Sequence, residues 1–182
     1  RIWEEGVRMD ERFDARAHFP FLRENNEVFE TVAGYWRNTF YVGGIETPHE
    51  VDVWEVTADL FPMLGAQPVL GRGFLPEDET PAGRHVAILS HEFWQQHMGS
   101  DPNAIGKDLT LTSTARDQND EAVLQRESYT IVGVMPAGFR FPFDRIAPLW
   151  RPLVLSELGN GRFTWPIRPL ARLKEGVTVQ QA

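Results

Sequence analysis

Between Phe61 and Thr80 the chain places Pro62, Pro68 and Pro76 among Gly65, Gly71 and Gly73, and Pro81 and Gly83 follow. Proline fixes φ and lacks the amide proton that a helix interior needs, while glycine weakens helices and strands alike. From a third of the way along the chain, then, the backbone is restricted to brief turns. Long helices are confined to other segments, and the architecture has to be assembled from short elements.

The same stretch, LGAQPVLGRGFLPEDE, sets glycines beside Glu77, Asp78 and Glu79. A phosphate loop follows its glycines with Lys and Ser/Thr at a helix start, so that amides and an ammonium converge on the anion. Here Gly71-Arg72-Gly73 leads into Phe74, Leu75 and Pro76. A dinucleotide fingerprint fails as well, because Pro76 and Pro81 stand where its helix should run. The three acids match no calcium loop of alternating oxygen ligands with a central glycine. The expectation is glycines serving positive φ in turns and acids facing water.

Composition narrows the class. Of 182 residues, 42% are hydrophobic and 12% aromatic, which excludes disorder and supplies a real core. The net charge is −8 and the bases are scattered, so nucleic acid is excluded as a partner. The absence of cysteine removes disulfides, thiolate zinc sites and cysteine nucleophiles together. Charge-free runs reach about ten residues, against roughly 20 for a spanning helix. The opening RIWEEGVR lacks Met, and KEGVTVQQA ends just after Thr178, an N-cap candidate. These ends are expected of a piece cut from a longer protein.

Local patterns give the elements. HFPFLRENNEVFETVAGYW predicts a helix with Pro20 in its first turn, Phe21, Leu22, Val28, Phe29, Val32 and Ala33 at helical spacings, and Gly34 as the residue after its end. RNTFYVGG and HEVDVWEVT predict two strands joined by a loop, with Val51 and Val53 alternating and Glu55 or Val56 breaking the parity. TADLFPMLG predicts a short helix capped by Thr57, favoured by Asp59 and closed by Gly65. HVAIL predicts a buried strand, followed by the helix HEFWQQHM between Ser90 and Gly99 with Phe93, Trp94 and Met98 on one face. IGKDLTLTS and ESYTIVGVMP predict two more strands, with TARDQNDEAVLQR (the loop around 113–125) projecting between them. TWPIRPLARLK predicts a last strand. The fold class is α/β (α+β) in two small lobes: residues 1–82 with 163–182, and an inserted 83–162.

Catalytic and metal motifs fail on geometry. His91 and His97 imitate a zinc helix, but they lie six positions apart, about 600° around the axis, and point to different sides. His18, His49 and His85 have no second ligand at motif spacing, and Ser90 lacks the flanking glycines of a nucleophile elbow. No catalytic, cofactor-binding or metal residue is therefore assigned, and no enzyme is expected. Trp36, Trp54 and Trp94 are core candidates; Trp3, Trp150 and Trp165, near ends or Pro-rich loops, are left open.

Taken in order, VTADLFPMLGAQPVLGRGFLPEDE, HVAILSHEFWQQHMGSDPNAIGKDLTL, YTIVGVMPAGFRFP, LWRPL and PLARLKEGVTVQQA resemble the MacB-like periplasmic core domain of bacterial ABC-transporter permeases. The resemblance implies a Porter-like lobe built from both chain ends with a Sabre-like lobe inserted. It also implies a place on the periplasmic face of the inner membrane, between two membrane helices of a dimeric permease. The implied partners are a cytoplasmic ABC ATPase, a second permease copy, and a periplasmic adaptor or substrate. ATP would be used by a separate nucleotide-binding subunit or domain, so no cofactor is expected in this fragment. TARDQNDEAVLQR departs from the family's short hairpin. Two other functions compete: a freestanding periplasmic ligand-binding or sensor domain with an apolar cleft, and a zinc hydrolase using His91, Glu92 and His97.

Overall fold

The computed structural model describes residues 15–24, 27–43, 49–83, 85–116, 121–141, 147–155, 167–178 and 180. Helix α1 (Ala15–Glu24) is followed by a long strand, β1 (Phe29–Gly43), which pairs antiparallel with β2 (His49–Val56) from Tyr35↔Val56 to Val42↔His49. The two predicted strands are present, but the predicted helix is only half right. From Phe29 onward its residues are strand, paired with β8 (Arg168–Leu173). Val28, Phe29 and Val32 satisfy a helical spacing and also have the branched and aromatic side chains that strands favour, and pairing with a distant strand decides between them.

Gly34 is therefore no helix terminus. It sits inside β1, where a Cβ would come within 2.6 Å of the Phe19 ring, so its lack of a side chain lets α1 lie on the strand. Its amide donates to Thr57 Oγ1 at 3.0 Å, and the Thr57 amide donates back to its carbonyl at 3.0 Å. Thr57 is thus engaged across the sheet rather than capping α2 (Leu60–Met63), whose N-cap is Asp59. Gly65, at φ 69°, closes that turn as predicted.

The remaining strands are β3 (Leu70–Gly71), β4 (Val86–Leu89), β5 (Asp108–Arg116), β6 (Ala122–Val134) and β7 (Leu149–Pro152). β4 runs parallel to β6, and β2 runs parallel to β7; the other ladders are antiparallel. The pairings return on themselves in the cycle β1, β2, β7, β4, β6, β5 and back to β1, with β8 beside β1 and β3 beside β6. Helix α3 (His91–Met98) connects β4 toward β5, with Ser90 Oγ accepting from the Phe93 amide and Gly99 left-handed at φ 58°, as predicted. The projecting loop is corrected to paired strand: Ser113↔Gln125 through Arg116↔Ala122 continue the β5–β6 ladder. Residues 117–120 of that segment lie outside the described ones.

Strand alternation sorts most of the apolar side chains to two large cores, beside a smaller third cluster. One contains Phe40, Val42, Val51, Val53, Ala87, Leu89, Leu109, Leu111, Ile131 and Leu149, with Phe93 of α3. The other, on the opposite strand faces, contains Tyr35, Trp54, Val56, Val86, Ile88 and Trp150, covered by Leu60, Phe61 and Phe74. The fold is mixed α+β. Trp54 is core as expected, whereas Trp94 is only partly buried against the first core and Trp36 against a third cluster of Phe19, Val32, Leu153 and Ile167. Trp150 is fully buried, edge-on to Phe61 at 5.6 Å; Trp3 and Trp165 lie outside the described residues.

Candidate functional site

β2 and β7 place Glu55 beside Arg151 in register, 96 residues apart in sequence. Arg151 Nη2 donates to Glu55 Oε1 at 2.9 Å, while Nη1 donates to the Tyr129 hydroxyl. Tyr129 in turn donates to Glu127 Oε2 at 2.7 Å. The guanidinium also lies over the Phe40 ring at 5.0 Å and the Tyr129 ring at 5.6 Å. His85 borders the group, its Nδ1 3.6 Å from Glu127 Oε2.

Parity explains how charges come to be here. Glu55 continues the inward face of Val51 and Val53, and Arg151 continues that of Leu149, so both side chains run into the apolar core and satisfy each other. Burial alone would lower the proton affinity of Arg151, but Glu55 and then Tyr129 reverse this and leave its pKa raised. Burial pushes the Tyr129 phenol upward, against the pull of Arg151, so it stays protonated and able to donate. The network is a fixed cation between carboxylates, which locks β2, β6 and β7 together. In the sequence Glu55 stands only as a break in pattern; its same-parity placement with Val51 and Val53 is the available signal.

Beside it, a shallow pocket of about 20 Å³ is lined by Asp78, Thr80, Gly83, His85, Tyr129, Arg151, Pro152 and Val154. Its rim comes from the Gly/Pro stretch, and here the expectation of water-facing acids is corrected. Glu77 is exposed, but Asp78 is 4% exposed. Asp78 accepts from Arg72 Nη1 at 2.7 Å and from the Leu75 amide at 2.9 Å. Glu79 accepts from the Ala58 amide and from Arg23 Nη1 at 2.9 Å, and Arg23 also holds Asp59. The carboxylates staple the turn, its neighbouring helix and α1 to one another. Gly71, at φ 72°, is the glycine that needs its freedom: a Cβ there would sit 2.0 Å from the Val132 carbonyl oxygen.

The histidines are distributed differently from the zinc pattern. His91 packs on Trp94 at 5.4 Å, whereas His97 packs on Phe93 at 4.4 Å and on His49 at 4.9 Å between ring centroids. Glu92 is turned to the Gly138 amide at 3.2 Å. Among the described residues, no group of three or more His, Cys, Asp or Glu is placed to hold a metal ion. His18 falls in α1, and nothing is described of its side chain.

Two solved structures share this architecture. The periplasmic region of MacB from Actinobacillus actinomycetemcomitans is similar with a TM-score of 0.62 and 12% identity, over 91% of this chain and 66% of that one. The extracellular domain of the noncanonic ABC-type transporter YknZ from Gram-positive bacteria gives a TM-score of 0.60 and 10% identity, over 90% and 73%. This chain thus spans about two-thirds of the MacB region, and identities this low show a shared fold. No curated protein matches the sequence. The class is that of extracytoplasmic domains of ABC permeases. The model of the MacB-like periplasmic core domain matches residues 6–182, and the chain belongs to that family. The family is a periplasmic part of transporter permeases, which work with cytoplasmic ATPases, rather than a catalytic one.

Proposed function

We propose that this chain is the extracytoplasmic module of a dimeric permease subunit, converting ATP hydrolysis on a cytoplasmic partner into periplasmic movement for export or mechanotransmission. The family match over residues 6–182 carries the proposal. No helix among the described residues is long and apolar enough to cross a membrane. Anchoring by flanking membrane helices, and contact with an adaptor or substrate, belong to the same proposal. So does the division into 1–82 with 163–182 and 83–162, as the parts between which movement occurs.

These 182 residues contain no cysteine, so single cysteines at Thr114 on β5 and Glu50 on β2 add the only thiols here, and a full-length permease cleared of any cysteine elsewhere can be labelled at those two positions. The separation of the two labels is expected to change when ATP is added to the permease and its ATPase. A separation indifferent to ATP, or a full-length gene without flanking apolar segments of about 20 residues, would overturn the proposal. The sensor alternative is less well supported. The pocket beside Arg151, about 20 Å³, has room for water rather than for a small-molecule ligand, and its cation is already matched by Glu55.

A further inference from the structure

His49 opens β2 and His97 stands in the last turn of α3, two elements that the sequence gives no reason to associate. The structure brings their imidazoles to 4.9 Å between centroids, inclined by 32°. Both side chains are half-buried, with the Phe93 ring 4.4 Å from His97 behind them. Two rings that each direct one nitrogen at a common ion, at about 2.0–2.1 Å and a near-tetrahedral angle, have centroids about 5 Å apart. The observed centroid spacing matches that value, and the contact with Phe93 restricts the rotation of one member.

We propose that His49 and His97 form a two-imidazole site for a late first-row divalent transition ion, one nitrogen from each ring and water completing the shell. Among the described residues, no third His, Cys, Asp or Glu joins them. The site is therefore an exchangeable one that pins the end of α3 to the start of β2. Imidazole is a suitable ligand for Cu²⁺, Ni²⁺ and Zn²⁺, and the usual stability order puts Cu²⁺ first.

The test is titration of the untagged chain with Zn²⁺, Ni²⁺ and Cu²⁺ by calorimetry, with imidazole NMR for the diamagnetic Zn²⁺. One ion per chain is expected, Cu²⁺ bound more tightly than Ni²⁺ or Zn²⁺, with Zn²⁺ moving the His49 and His97 resonances. Loss of an outer partner of a metal ligand already weakens binding about 10- to 100-fold, so His49→Gln and His97→Gln should each lose at least tenfold. His85→Gln and His91→Gln should bind like the parent chain. Binding that survives His97→Gln, that follows His85 or His91, or that fails to saturate overturns the proposal. Should a variant misfold, the resonances shifted in the parent chain decide the matter alone.

Discussion

Replacing Arg151 by Met removes the cation that faces Glu55 at 2.9 Å and leaves that carboxylate buried, at 4% exposure, against an apolar core. Breaking a buried pair from one side costs about 3–5 kcal/mol, because the remaining charge has neither water nor partner. Arg151→Met is expected to lose that much in urea denaturation. The double variant Glu55→Leu/Arg151→Met is expected to recover most of the loss, since an apolar pair of similar volume replaces an ionic one; a double variant as weak as the single would refute the account. At this scale the sequence was partly legible. The positive φ expected of the glycines in this stretch is found at Gly65 and Gly71 and not at Gly73. Asp78 and Glu79 were expected in water, because a run of acids after a turn carries no local trace of Arg72 and Arg23. A burial that depends on a partner from another element is not written in the burying segment.

The elements legible in the sequence are those whose instructions are local. Ser90, HEFWQQHM and Gly99 state a cap, an amphipathic turn set and a left-handed stop within ten residues, and α3 follows them closely. Ser90 is 1% exposed and its Oγ holds the Phe93 amide at 3.0 Å. Ser90→Ala is expected to destabilise the chain by about 1 kcal/mol, while Ser90→Asp, which keeps an acceptor, should fold with α3 intact by amide exchange. Equal exchange protection of the α3 amides in Ser90→Ala and the parent would show the cap to be dispensable. The elements misread are those decided from a distance. Residues 29–33 look helical until β8 supplies a ladder, and 113–125 look like a loop because polar residues are common on strands that pair outside a core.

At the scale of the molecule, the local signals predict strands but not their closure. The parallel ladder Val53↔Leu149 and the antiparallel ladder Val42↔Leu111 join the predicted chain-end lobe to the predicted insertion, and neither has a counterpart in periodicity. Their consequence is energetic. Val53 on β2 and Leu111 on β5 are 0% and 1% exposed and belong to one packed core, so that opening either part strips apolar surface from the other. Cores this dense relax only partly around a deleted side chain, and Leu→Ala changes cost about 2–5 kcal/mol. Val53→Ala and Leu111→Ala are therefore expected to lower the same single unfolding transition, seen alike by far-ultraviolet dichroism and by tryptophan fluorescence. If Leu111→Ala instead advanced one transition and left a second in place, the two predicted lobes would be separate folding units, and movement between them would need no bending of a shared sheet. A single transition would require any ATP-driven movement to pass through the β1–β5 and β2–β7 ladders, with the Arg151 network lying on the second of these paths.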